Sequence, residues 1–204
     1  MGRVLPRHGR CGRPLNSAVR RHQTVTSSTA LPQFKYHPDP IKSKVLAPST
    51  GICTCCNLQR EWEYVGPIYG LRRPKHLCPW CIASGAAASR FDVELGLREA
   101  LEPGASPESQ EELICRTPWY FIAQLEPWPV HCGDYCAVVG RPSWEELVQL
   151  RSELEADVEH MGNRLELDAE TLELELKKCP SGLLWTQLFC CLQCGVHRLN
   201  GDYE

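Results

Sequence analysis

The chain carries thirteen cysteines in 204 residues, and most of them fall in close pairs. Cys53 and Cys56 are spaced C-x-x-C, as are Cys78 and Cys81 after a gap of 21 residues, and Cys191 and Cys194 near the end. Cys132 and Cys136 form a looser C-x-x-x-C, preceded by His131. A C-x-x-C turn lets two thiolates converge on one tetrahedral ion while backbone N–H groups point back at the sulfurs. Asn57 and Gly195 directly follow two of these turns, and both residue types readily take the left-handed conformation that closes them. Two such turns supply a complete set of four sulfurs. The spacing therefore predicts one structural zinc site from Cys53, Cys56, Cys78 and Cys81. A second is predicted from Cys132, Cys136, Cys191 and Cys194, with His131 or Cys190 as substitutes. Cys55 points elsewhere in this reading. Cys11, Cys115, Cys179 and Cys190 are also left over, and those in the body of the chain read as buried free thiols.

Two other chemistries use the same residues. "CPWC" at 78–81 matches a C-P-aromatic-C redox motif, in which a low-pKa first cysteine opens a helix. That pattern wants a βαβ unit leading in, and none is visible. A Cys/His nucleophile could be drawn from Cys132 or Cys115 with His131 or His160, but adjacent side chains in a strand face opposite ways. The alternative to a metal-clamped binding protein is thus a thiol oxidoreductase or Cys-dependent hydrolase using Cys78 or Cys132.

Composition narrows the setting. The cysteine count is odd and the opening stretch lacks the apolar core of a secretory signal, which favours a reducing, cytoplasmic compartment and metal ligands over structural disulfides. No run approaches the roughly 18 apolar residues of a membrane span. Residues 1–31 contain six arginines and no acid, so the net charge of −3 conceals a remainder of −9. The basic stretch reads as a disordered N-terminal extension, with a transit peptide as the other interpretation. The acidic remainder disfavours nucleic-acid binding, which needs clustered Lys and Arg. It suits a basic protein partner, although plain solubility explains it too.

The elements that must position the cysteines are short. The proline-rich segment 31–51 predicts an extended arm anchored by Phe34 and Tyr36. Trp62, Tyr64 and Ile68, interrupted by Gly66-Pro67, predict a hairpin or two short strands. Residues 86–101 predict a helix on Phe91, Leu95 and Leu101. "ESQEELICR" predicts a helix stopped by Thr117-Pro118. The aromatic stretch 119–140 predicts core strands or buried loops. Ser143 and Glu146 have capping-box spacing, and Trp144, Leu147, Leu150, Leu154, Val158 and Met161 mark one helical face with an acidic, solvated outer side. Residues 168–178 lean towards a helix capped by Asp168, and the chain closes as a strand entering the last cysteine turn.

Several stretches in order, "LPQFKYHPDP", "CTCC", "VGPIYG", "LCPWCIASGAAASRFD", "RTPWY", "HCGDYCAVVG" and "LFCCLQCG", resemble the bacterial CbrC family from about Pro32 to Asp202. The residues that coincide with the shared pattern include Tyr36, His37, Pro67, Trp80, Asp92, His131, Asp134 and the paired cysteines. Ser84 stands where that family usually has an acid, and Asn57 where it usually has Gly. The resemblance implies a largely uncharacterised group with no established enzymatic activity, associated with tolerance to colicins. The expectation is an α+β fold. Residues 32–204 would form a small zinc-stabilised, CbrC-like domain of short antiparallel strands, cysteine turns and a few helices. Its role would be non-enzymatic binding of an unidentified protein in toxin tolerance or stress.

Overall fold

The computed structural model describes residues 30–120 and 127–203. Its first segment is the arm. Repeated prolines keep it extended, Phe34 and Tyr36 are buried as anchors, and it ends in strand β1, Leu46–Pro48. Strand β2, Trp62–Tyr64, pairs antiparallel with β1, with Leu46 opposite Tyr64 and Pro48 opposite Trp62. The partner of β2 is therefore the arm and not the Ile68 side. Pro67 has no N–H to give a ladder, and the chain beyond it makes only an isolated bridge, Tyr69 to Glu94.

Helix α1, Pro79–Ala83, starts with proline at its first position, where a missing N–H costs nothing. Gly85, at φ 73°, turns the chain into α2, Ala86–Phe91, which Asp92 terminates in the left-handed region. The helix expected to continue to residue 101 thus stops ten residues early. Leu95 instead donates its N–H to the Ile114 carbonyl at 2.8 Å, and Leu101 bridges to Trp128. Long-range pairing has overridden local propensity there. Helix α3, Pro107–Arg116, is capped by Ser106, whose Oγ accepts from the Ser109 N–H at 3.1 Å, and it ends before Thr117-Pro118 as expected.

The aromatic stretch supplies β3, Val130–His131, β4, Asp134–Tyr135, and β5, Ala137–Gly140, while residues 121–126 lie outside the described part. Both halves of the capping box form. The Glu146 N–H donates to Ser143 Oγ at 3.3 Å, and the Ser143 N–H donates to Glu146 Oε2 at 2.7 Å. The expected single helix is two, α4 at Trp144–Gln149 and α5 at Arg151–Leu165, broken at Leu150. The apolar face survives the break, with Leu147, Leu154 and Met161 buried. Helix α6, Ala169–Leu176, is capped by Asp168 and buries Leu172 and Leu176 while Leu174 faces out, which is helical and not strand alternation. Strands β6, Leu184–Cys190, and β7, His197–Tyr203, form a hairpin that β5 joins, giving an antiparallel sheet in the order β5-β6-β7.

Among the described residues two apolar clusters result. The larger gathers the arm, β1–β2, α1–α3 and the β3–β4 hairpin; the smaller lies between α4–α6 and the outer sheet. Trp128 joins the first cluster to β6, with ring centroids 4.9 Å from Trp119 and 5.6 Å from Phe189.

Glu145, Glu146, Glu155 and Glu159 lie exposed on the outer face as expected, but two acids of the helix do not. Glu153 and Asp157 of α5 point at β7, where Glu153 accepts from the His197 N–H at 2.9 Å and Asp157 from the Leu199 N–H at 2.8 Å. Asp157 also holds Arg198, and Arg164 reaches Asp202 and the Gly201 carbonyl. β7 is an edge strand, so these groups cover a row of backbone that would otherwise pair with another chain. The fold class is α+β, with short antiparallel strands, a few helices and cysteine clusters that could bind zinc.

Candidate metal centres

The first turn is built by its own backbone. The Cys53 N–H donates to the Leu58 carbonyl at 2.9 Å and the Asn57 N–H to the Cys53 carbonyl at 2.8 Å, with Asn57 at φ 57°. The Cys191 turn repeats this two-bond pattern. The Cys191 N–H donates to Val196 at 2.8 Å and the Gly195 N–H to Cys191 at 3.0 Å, with Gly195 at φ 77°. Residues outside each turn also pair alike, Ile52 with Gln59 and Cys190 with His197. The left-handed residue after the second cysteine is thus what closes both turns. Cys78 and Cys81 are presented differently, from the cap and first turn of α1.

Cys53, Cys56, Cys78 and Cys81 come together, their Sγ atoms all within 4.8 Å of one another. Cys53 lies 3.8 Å from Cys81 and Cys56 lies 3.9 Å from Cys78. A tetrahedron with zinc–sulfur arms of about 2.3 Å has edges of about 3.8 Å. The donor set therefore fits the ion. Three of the four residues are buried, and Cys56 is partly so. The Cys78 N–H donates to Cys53 Sγ at 3.3 Å, the support a thiolate ligand needs. Hydrogen bonds from the Cys78 and Cys81 thiols hold the Cys53 thiol well below its usual range. The same bond to Cys53 pushes Cys78 up to about 12, and those to Cys53 and Cys78 push Cys81 up further. Thiolates this close repel one another, and a divalent cation is what would offset that repulsion. Cys55 lies outside this set; its thiol hydrogen-bonds Cys81, burial pushes its proton affinity up, and Arg90 holds its carbonyl.

At the second centre the structure gathers His131, Cys132, Cys191 and Cys194 within the same 4.8 Å limit, so His131 stands where the spacing suggested Cys136. The reason is the turn. His131 and Asp134 are opposed in the β3–β4 hairpin, so Cys132 and Gly133 form a two-residue loop, at φ 53° and 75°. Positive φ at both positions marks a type I′ turn. It swings Cys132 round to the side of His131, whose Nδ1 lies 3.3 Å from both Cys132 Sγ and Cys194 Sγ. The rule that neighbouring strand residues diverge does not hold across this loop. Cys136 follows β4 into the core, fully buried, where desolvation pushes its thiol up to about 12. Cys132 and Cys194 are 3.7 Å apart, again a tetrahedral edge. Cys132 and Cys194 are exposed, unlike the thiols of the first centre.

Sequence spacing gives no sign of what braces this hairpin. Asp134 accepts from Tyr36 Oη at 2.6 Å and from Lys35 Nζ at 2.6 Å, and Ser109 of α3 also reaches it. Burial pushes the Asp134 carboxyl up, but these hydrogen bonds together outweigh it and leave it below its usual range. The only available cue was the Gly at the second loop position of H-C-G-D, a hairpin signal. His37 sits beside this network, buried, donating from Nδ1 to the Pro118 carbonyl and accepting at Nε2 from Ser43, each at 2.5 Å. Cys179 is buried and Cys190 partly exposed; Cys190 lies beside the second centre, its thiol turned to the Gly195 carbonyl, and neither joins a four-donor set, while Cys115, expected as a free thiol, is disulfide-bonded.

Residues 31–203 match the family model described as "Uncharacterised protein family (UPF0167)". The chain belongs to the UPF0167 family. A UPF0167 protein of Mycobacterium bovis is 38% identical over 184 residues, covering 89% of this chain and 98% of that protein, and one of Mycobacterium tuberculosis gives the same values. A UPF0167 protein of Pseudomonas aeruginosa is 39% identical over 126 residues, 60% of this chain and 70% of its own length. No solved structure matches this UPF0167 chain. Among its described residues, no helix is long and apolar enough to cross a membrane.

Proposed function

We propose that this UPF0167 protein is a zinc-stabilised, cytoplasmic binding protein of the CbrC type, whose two ions serve architecture and whose surface engages another protein. In this proposal residues 32–204 form the binding domain and residues 1–31 a basic extension. Cys53, Cys56, Cys78 and Cys81 hold one zinc; His131, Cys132, Cys191 and Cys194 hold the other. The observation that carries the reading is the pair of four-donor clusters whose sulfur separations equal the edges of a zinc tetrahedron. Soft thiolate donors with imidazole favour zinc over magnesium or calcium. The first ion would lock the arm side to α1, and the second would lock the β3–β4 hairpin to the β6–β7 turn.

Thiol chemistry at Cys78 or Cys132 gains no support from the geometry. Cys78 is buried and enclosed among three other thiols. His131 is shared equally by two thiols, whereas a catalytic base serves one nucleophile. The surrounding charge suits a basic protein such as a nuclease toxin, and tolerance to such a toxin is the setting we assign.

Elemental analysis of purified protein, combined with affinity capture from its own cytosol, tests this. Two zinc equivalents and one stoichiometric protein partner, reconstituted from pure components, are expected. A metal-free protein that keeps its fold in a strong chelator overturns the metal half. A metal-loaded protein with no partner overturns the binding half.

A further inference from the structure

The helices at 143–178 concentrate the chain's negative charge. They hold eleven acids against four bases, a net −7 of the −9 carried by residues 32–204. Between them runs a cleft of about 730 Å³, open to solvent on one side, with α4 and α5 as one wall and α6 as the other. Its floor and walls are apolar, formed by Trp144, Leu147, Val148, Val158, Leu172 and Leu176. Val148 is 47% exposed at the lip. Arg151 of α5 reaches across to Glu173 of α6 at 3.3 Å, and Lys177 pairs with the same Glu173 along α6 at 2.9 Å. Along the open length, Glu155 and Glu159 project from successive turns of α5, exposed and without an ion pair among the described residues.

An apolar trough edged by unpaired carboxylates at i and i+4 has a definite complement. We propose that this cleft is the docking site for a basic amphipathic helix of a partner protein. The partner lays an apolar stripe on Trp144, Val148 and Val158, above the buried Leu147 and Leu172, and sets Lys or Arg against Glu155 and Glu159. Helical walls favour a helix as the guest, read through anchors at i, i+3 or i+4 and i+7. α5 has fifteen residues, so the trough is roughly 22 Å long, enough for about four turns of guest. The charge fit sets the sign of the partner, since a like-charged helix would bring carboxylates together. The inference rests on the protein-binding reading above and names its surface.

The test uses the zinc-loaded full chain and a fluorescent amphipathic peptide of leucines and lysines, about 18 residues long, read by anisotropy. The controls are a scrambled peptide and one with glutamate in place of lysine. Saturable one-to-one binding of the first peptide alone is expected. It should weaken about tenfold in the E155K/E159K double variant and be lost in Val148→Asp; all three positions are exposed, so the fold is spared. Equal binding of the scrambled peptide, or indifference to E155K/E159K, overturns the proposal. So does a tenfold gain on deleting residues 1–29, which would make the chain's own basic segment the occupant. A cytosolic partner captured equally by wild type and E155K/E159K leaves the protein-binding reading standing and overturns this surface.

Discussion

The phenol of Tyr36 donates to Asp134 at 2.6 Å, across 98 positions of sequence. One end of that bond is the arm; the other is the hairpin that carries His131 and Cys132. Tyr36 is fully buried and its ring meets Tyr135 edge-on at 5.9 Å, so the bond is held from both sides. Replacing Tyr36 with Phe leaves the packing and removes the donor. A loss of about 2 kcal/mol in denaturant unfolding is expected, together with faster release of one zinc equivalent. Unchanged release from the second centre would show that the arm does not brace it.

The two centres should separate on mutation. Cys132→Ser should remove one equivalent of metal and leave a folded chain, because Cys132 is exposed and the first centre is built from other elements. Cys81→Ser removes a buried donor, so it should cost metal and fold together, since binding free energy at such a site is folding free energy. Inductively coupled plasma analysis alongside circular dichroism distinguishes the two outcomes.

His37 gives the protein a pH-dependent stability. Desolvation pushes its imidazole down to about 4, against an ordinary value near 6.5. Between those values the unfolded chain binds a proton that the folded chain refuses, so stability falls as pH drops through the window and is whole above it. The full loss is about 3 kcal/mol. His37→Asn should be less stable at neutral pH, and its stability should fall less steeply between pH 6.5 and pH 4 by about one proton. Parallel slopes for the two proteins would contradict this.

Gly96 lies under the Trp119 ring so closely that an added Cβ would sit 1.9 Å from it. Gly96→Ala should cost about 3 kcal/mol through displacement of the Trp119 ring from its tilted contact with Trp128. Gly133→Ala meets no atom within 4 Å and should cost only about 1 kcal/mol, the price of a left-handed alanine. Thermal melts of the two variants give the comparison; equal losses would mean that the ring has room.

The turn chemistry of this chain is local, and so it could be read without coordinates. C-x-x-C followed by Asn57 or Gly195 fixes which thiols converge, because the closing bonds span only a few residues. The caps at Ser106, Ser143 and Asp168 were legible for the same reason. His131 could be named only as a substitute for Cys136, because the two-residue turn at Cys132-Gly133 that brings it to the thiols and sends Cys136 into the core depends on how β3 and β4 pair. The arm's pairing with β2, the early stop of α2 and the inward aim of Glu153 and Asp157 were not legible. Each depends on what arrives from far along the chain: β2 for the arm, Ile114 for Leu95, β7 for the acids. Short-range geometry is written in neighbouring residues, whereas partners for backbone and charge are settled only when distant segments meet.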